Sequence, residues 1–171
     1  MSGENRKWYA VYTKSRGEKK AKKLLDEQGI PNYLPLIKTL KQWSDRKKWV
    51  HEPLIRSYIF VHLENGKEYQ KVLQTDHVVR FITFEGKAVP IPQKQIDNIK
   101  LLLASEADLE VTSENFEEGA EIEVKAGPLK GLTGTLIEQR GKNKVQIRLE
   151  AIGQSILVEI SLVYLKRVGR I

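Results

Sequence analysis

The sequence predicts a two-domain α+β protein, and three observations carry the prediction. Strand and helix patterns through residues 1–104 run in the order strand, helix, two strands, helix, strand, the split βαβ arrangement of ferredoxin-like folds. From residue 119 onward there are only short strand patterns punctuated by glycine, which predicts a small β-barrel. Between the two, the charge reverses. Residues 1–104 hold 20 Lys+Arg against 11 Asp+Glu, residues 105–121 hold none against 7, and residues 122–171 hold 9 against 4. The acidic stretch "SEADLEVTSENFEEGAE" has poor apolar periodicity, so residues 105–118 are read as a linker joining domains at 1–104 and 119–171.

The first strand, "KWYAVYT", is aromatic and β-branched with apolar residues on both faces, as a central strand requires. Ser15-Arg16-Gly17-Glu18 has capping-box spacing and predicts a helix start. Ala21, Leu24, Leu25 and Gln28 then share one face, and Gly29 supplies a left-handed stop. "IPNYLPLIKTLKQW" carries two prolines and suits an irregular or edge strand; after a turn at Ser44 to Lys47 it returns as "WVHEPLIRSYIFVHL", a strand expected to end inside the sheet. Tyr69, Val72 and Leu73 mark a short second helix, "VVRFITF" a strand, and "EGKAVPIP" a turn. A third helix follows, with Ile96, Ile99, Leu102 and Leu103 on one face. In the second domain "AEIEVKA", "LTGTLIEQ", "KVQIRLEA", "SILVEI" and "LVYLKRV" make five strands. About 50 residues bury a modest share of their surface, so closure into a barrel is expected to protect the edges.

Composition excludes several classes. With 40% hydrophobic and 30% charged residues the chain can bury a core, and no apolar run approaches the ~20 residues of a bilayer span. No membrane partner is therefore expected. The N-terminal residues lack an apolar segment of the secretory kind, and there are no cysteines, which fits a reducing cytoplasm. His51, His62 and His77 have no metal-ligand spacing, there is no phosphate-cradling glycine loop, and the adjacent His51 and Glu52 point to opposite faces of a strand. A non-enzyme without cofactor or metal is expected. The net charge of +7 points instead to a polyanion, most often nucleic acid.

Two stretches carry a family resemblance. "KAGPLKGLTGTLIE", with Gly127, Pro128, Gly131 and Gly134, resembles a KOW motif, which shapes the first hairpin of an SH3-like barrel. "KWYAVYTKSRGEKKAKKLLDEQGI" followed by "PLIRSYIFV" resembles the N-terminal (NGN) domain of NusG-type transcription elongation factors, and the pairing covers nearly the whole chain. "QWSDRKKWVHEPLIRSYIFV" is most similar to the specialised UpxY-like and RfaH-like paralogues, which act as antiterminators. The resemblance implies that the N-terminal domain grips the clamp helices of the largest RNA polymerase subunit through an apolar depression. Tyr12 matches its strand-one tyrosine, and Ile55, Tyr58 and Phe60 match its Phe-Pro-x-Tyr-x-Phe run; the plainer reading is that these residues, Phe60 above all, are sheet core. Arg56 stands where the family often has proline and is positioned to meet an acidic group on the partner.

The resemblance also places the hairpin tip and the first helix beside the exposed non-template DNA strand. Trp43 and Trp49 around Arg46, Lys47 and Lys48 offer stacking faces with cations, the chemistry of single-strand grooves. The plainer reading is that Trp43, facing Lys48 and diagonal to Trp49, stabilises the hairpin. Lys14, Arg16, Lys19, Lys20 and Lys23 gather at the first helix and are expected to follow DNA phosphates. For the barrel the resemblance implies docking to a small-subunit ribosomal protein or to Rho, with the protein acting as a monomer. In RfaH the corresponding segment also refolds as helices that mask the polymerase site; here Thr133, Thr135, Val145, Ile147, Ile156, Val158 and Ile160 favour a stable barrel. The rival reading is a ribosome-associated or general RNA-binding KOW protein.

Overall fold

The computed structural model describes residues 5–117 and 119–168, and the chain divides into two compact units between Gln93 and Lys94. In chain order the first unit contains β1 (Lys7–Thr13), α1 (Glu18–Glu27), β2 (Asn32–Tyr33), β3 (Leu36–Gln42), β4 (Lys47–Pro53), β5 (Tyr58–Leu63), α2 (Gly66–Leu73), β6 (Val78–Phe81), β7 (Thr83–Phe84), β8 (Lys87–Ala88) and β9 (Pro90–Ile91). β1 is central, as its two apolar faces predict. It pairs antiparallel with β5 and β6, and β9 joins it as well, in a sheet of order β2-β5-β1-β6. This is the ferredoxin-like arrangement that the element order implies.

Alternation along the strands sorts the core. Val11, Ile59, Val61, Leu63 and Phe81 are buried with Ala21 and Leu25 of α1 and Val72 of α2. Tyr69 stacks on Phe81 with ring centroids 3.9 Å apart, and Tyr9 meets the same ring edge-on at 6.1 Å. On the other parity Ala10 and Phe60 are fully buried. Trp8 stacks on its cross-strand partner His62 at 4.4 Å and donates its indole N–H to Gln93 Oε1 at 2.8 Å. Burying a Leu, Ile or Phe contributes about 1.5–3 kcal/mol, so these two layers hold the sheet.

Three local expectations change. Ser15 does not cap α1: Gly17 is the cap residue without a side-chain cap bond, and the Glu18 carboxylate turns away to the Ser57 amide at 3.0 Å. Gly29 does end the helix in the left-handed region, at φ +72°. The strand expected to return from the hairpin is broken at residues 54–57, where Ser57 takes φ 66°, so β3 and β4 form a separate two-stranded ribbon outside the main sheet. "VVRFITF" is likewise split into β6 and β7, and the turn expected after it contains β8, paired with β7, and β9.

The second unit takes nearly all of α3 (Gln93–Ala104), then β10 (Leu109–Thr112), β11 (Glu121–Val124), β12 (Thr133–Gln139), β13 (Lys142–Leu149), β14 (Gln154–Glu159) and β15 (Leu165–Arg167). Its sheet runs β10-β14-β13-β12-β11-β15, so the five expected strands are joined by a sixth from the acidic stretch. The expected domain limit at residue 104 therefore differs from the observed division. α3 is tied to the barrel: Lys94 Nζ donates to Gly131 O at 2.9 Å, and the buried Asn98 amide donates to Thr133 O at 3.2 Å and accepts from Thr133 N at 3.4 Å. Residues 1–4, Glu118 and residues 169–171, which the expected domain and linker limits include, lie outside the described residues.

The acidic stretch is fastened as well as paired. Gln146 makes a two-way bond with the Phe116 backbone, donating at 2.9 Å and accepting at 3.0 Å. Arg148 Nη1 donates to Ser113 O at 3.3 Å and Ser155 Oγ at 3.0 Å, and Lys144 meets Glu110 at 3.3 Å. One ion pair and several side-chain bonds to its backbone thus fasten a segment that charge and periodicity alone mark as linker. Among the KOW residues, Gly131 adopts φ +96° in the turn, and Gly134 faces Gln146 O so closely that an added Cβ would lie 2.5 Å away.

Glu68 ties the start of α2 to β1 and β5. It accepts from the Glu64 amide at 2.7 Å and from Arg6 at 3.2 and 3.0 Å, while Arg6 also donates to His62 O at 2.9 Å. Burial pushes the Glu68 carboxyl up, but the Glu64 amide and the Arg6 guanidinium outweigh it and hold it below the ordinary range. A lowered folded value means that this stabilisation is complete above the unfolded glutamate value of about 4.3 and is lost as pH falls through the folded value. Urea midpoints at pH 7 and pH 3.5 should therefore differ less in Glu68→Gln than in wild type, with Glu68→Gln the less stable at pH 7 by about 1 kcal/mol.

Candidate nucleic-acid and protein interface

Two surfaces of the first unit carry the residues singled out by sequence. The first is a cross-strand row. Tyr58 of β5 faces Tyr12 of β1, which faces Arg80 of β6. The tyrosine rings meet edge-on with centroids 5.6 Å apart, and the Arg80 guanidinium lies 5.6 Å from the Tyr12 ring centre. Both tyrosines are half-buried and Arg80 is exposed. The aromatic–cation row is thus presented at the surface by three adjacent strands. Sequence reasoning missed Arg80, because only the strand register places it opposite Tyr12.

Ile55 and Phe60, assigned to the same surface by resemblance, are not on it. Ile55 is 3% exposed and Phe60 0%; Phe60 shares the Tyr58 face of β5 but is covered there, so of the matched run only Tyr58 and Arg56 are accessible. The break at residues 54–57 is the physical reason for Ile55. It turns the chain from the ribbon into β5, and Leu54 and Ile55 fill the corner.

The second surface lies where the N-terminus of α1 meets the base of the ribbon. A cleft of about 560 Å³ opens there, lined by Arg16, Lys19, Lys41, Glu52, Arg56 and Ser57 among others. Buried Glu18 fixes its floor through the Ser57 amide, and Thr13 N donates to Ser57 O at 2.8 Å. Lys19 Nζ donates to the His51 carbonyl at 2.5 Å, strapping α1 to β4. Glu52 pairs with Lys41 at 2.8 Å, and the hydrogen bond from that ammonium holds the Glu52 carboxyl below its ordinary value. Arg16 sits at φ 58° and Ser57 at φ 66°, two non-glycine residues in the left-handed region on one cleft wall.

Along α1, Lys19, Lys20 and Lys23 form one exposed stripe that begins near Lys14 and Arg16, while Lys22 lies to the side and pairs with Asp26 at 3.4 Å. The tryptophans do not pair. Trp43 N donates to Arg46 O at 2.8 Å, so Trp43 faces Arg46 rather than Lys48, and Trp49 faces Leu40. Strand parity then sets Trp43, Arg46, Lys48 and Lys41 on one face of the ribbon and Trp49 and Lys47 on the other. Each indole has its own cation. Arg46 lies 5.7 Å from the Trp43 ring centre and Lys38 lies 5.1 Å from that of Trp49. Both rings remain about half exposed, at 45% and 56%. Gly127, Pro128 and Gly131 lie in the β11–β12 connection of the second unit, and Gly134 within β12.

Comparison with known proteins bears on these geometries. Residues 6–100 match the family model described as transcription termination factor nusG. The chain is 26% identical to the transcription termination/antitermination protein NusG of Thermus thermophilus, over 90% of this chain and 94% of that protein. It is 24% identical to the NusG of Borreliella burgdorferi, over 96% of this chain and all of that one. A solved structure of Thermotoga maritima NusG, described for its domain interaction, superposes with a TM-score of 0.54 at 22% identity, covering 96% of this chain and 98% of its own.

Because the cleft depends on Glu18, removing that carboxylate is a direct test of its architecture. Glu18→Ala leaves the Ser57 amide without its partner and should cost about 1–3 kcal/mol in urea unfolding. It should also raise the hydrogen-exchange rate of the Ser57 amide more than that of Ile59.

Proposed function

Since the chain belongs to the NusG family of transcription termination and antitermination factors, we propose that it regulates elongation by docking on RNA polymerase through its first unit. The observation that carries this reading is the exposed Tyr58–Tyr12–Arg80 row. A half-buried aromatic pair beside an unburied guanidinium is the composition of an interface hot spot. The intended contact is the clamp helices of the largest polymerase subunit. Phe60, covered on the same face of β5 as Tyr58, and the buried Ile55 act as packing supports, and Arg56 belongs to the neighbouring cleft. The stripe of Lys14, Arg16, Lys19, Lys20 and Lys23 then lies within reach of the non-template DNA strand.

The barrel recruits a further factor, a small-subunit ribosomal protein or Rho. Support comes from Leu162, Val163 and Tyr164, which are 50%, 73% and 42% exposed in one 3₁₀ turn. An antiterminator of the specialised paralogue type is the form of this function that the hairpin composition favours, and we take it to act as a cytoplasmic monomer. No helix among the described residues is long and apolar enough to cross a membrane.

The test is binding of purified core RNA polymerase by the full chain at moderate and high salt. Wild type should be retained at both, and Tyr58→Ala and Arg80→Glu should each lose at least about tenfold while remaining folded at the assay temperature. Equal binding by the variants would remove the row from the interface. Failure to bind polymerase, with salt-sensitive capture of ribosomal RNA instead, would favour the RNA-binding module.

A further inference from the structure

We propose that the cleft between α1 and the ribbon continues along one ribbon face as a track for a single nucleic-acid strand, with Arg56 and Lys48 as phosphate ligands and Trp43 as the stacking platform at its end. This rests on the proposed contact with DNA and adds to it the path and Arg56, a residue that the family resemblance does not place there. Arg56 is the key departure. It occupies a position where an interface arginine was expected to meet protein, yet its side chain lines the cleft with Arg16, Lys19 and Lys41. The two acids present are already engaged. Glu18 is buried and accepts the Ser57 amide, and Glu52 is held by Lys41. Neither Arg16 nor Arg56 forms an ion pair among the described residues.

The cleft volume, about 560 Å³, falls in the roughly 300 to 1,000 Å³ range of sites that hold small ligands and admits a nucleotide unit. Strand parity then extends it. Lys41 shares its face with Lys48, Trp43 and Arg46, and the two residues from Lys41 to Trp43 cover about 7 Å. A backbone bound in the cleft therefore meets cations continuously up to an exposed indole ring. Trp49 and Lys47, although adjacent in sequence, face away and take no part.

The adjacent lysines make a test that holds net charge constant. Binding of the full chain to a fluorescent twelve-nucleotide single-stranded DNA of mixed sequence is measured by anisotropy across a salt series. Arg56→Gln and Lys48→Gln should each flatten the slope of log affinity against log salt by about 0.7, one phosphate contact on a single strand. Lys47→Gln should leave the slope unchanged, and Trp43→Ala should weaken binding about tenfold where Trp49→Ala does not. Equal effects of Lys47→Gln and Lys48→Gln, with none from Arg56→Gln, would overturn the track. Slopes that respond only to Lys20→Gln and Lys23→Gln would do the same and leave the DNA contact of the helix standing. Absence of wild-type binding to single-stranded DNA would remove both.

Discussion

A single buried carboxylate organises the functional half of this protein. Glu18 opens α1, where a negative charge suits the positive helix end, and its oxygen takes the amide of Ser57, thirty-nine residues along the chain. That bond joins the helix to the corner where the ribbon enters the central sheet. The corner has Ser57 in the left-handed region, a conformation that costs a non-glycine residue about 1–3 kcal/mol and persists only when its surroundings fix it. The fixing is visible in the bonds from Thr13 N to Ser57 O and from Ser57 N to Glu18. Because of it Tyr58 starts β5 in register with Tyr12, Ile55 turns inward, and Arg56 turns toward the cleft.

The second unit solves a different problem, the open edge of a small sheet. β14 would present unpaired backbone groups to solvent, and the acidic stretch fills that row through β10. Gln146, Ser155 and Arg148 form the underlying polar cluster. Gln146 and Ser155 are buried and bonded to each other at 3.0 Å, and Gln146 spends its amide on the Phe116 backbone. Arg148 Nε is buried without a hydrogen bond and has the Glu150 carboxylate 3.8 Å away, so attraction at a distance stands in for direct contact.

What the sequence made legible follows from which forces are local. β1 could be read because a central strand must be apolar on both faces, and the end of α1 because Gly29 permits the left-handed stop. The five barrel strands followed from alternation and glycine spacing. The capping box at Ser15 misled because Glu18, its second member, has a distant partner that local spacing cannot reveal. The acidic stretch misled for a related reason. Glu110 is paired by Lys144 and the segment's backbone is bonded by Gln146 and Arg148, all at least thirty residues away. At the candidate site the residue types were readable but their facing was not. The family resemblance points Ile55 toward a partner, whereas it is buried, and Phe60 follows the plainer sheet-core reading; Trp43 and Trp49 point apart despite flanking one turn, and only the strand register sets Arg80 beside Tyr12.

The ribbon of β3 and β4 has a consequence for how such a protein changes over time. It pairs only with itself, most of its residues are exposed, and it contributes little to either core. Substitutions at positions of this kind usually shift stability by no more than about 0.5 kcal/mol. For whatever the ribbon binds, unlike the row on the central sheet, folding and recognition are thus written in separate stretches of the chain. A lineage can rewrite the face that meets a ligand, one exposed residue at a time, without endangering the sheet that carries it.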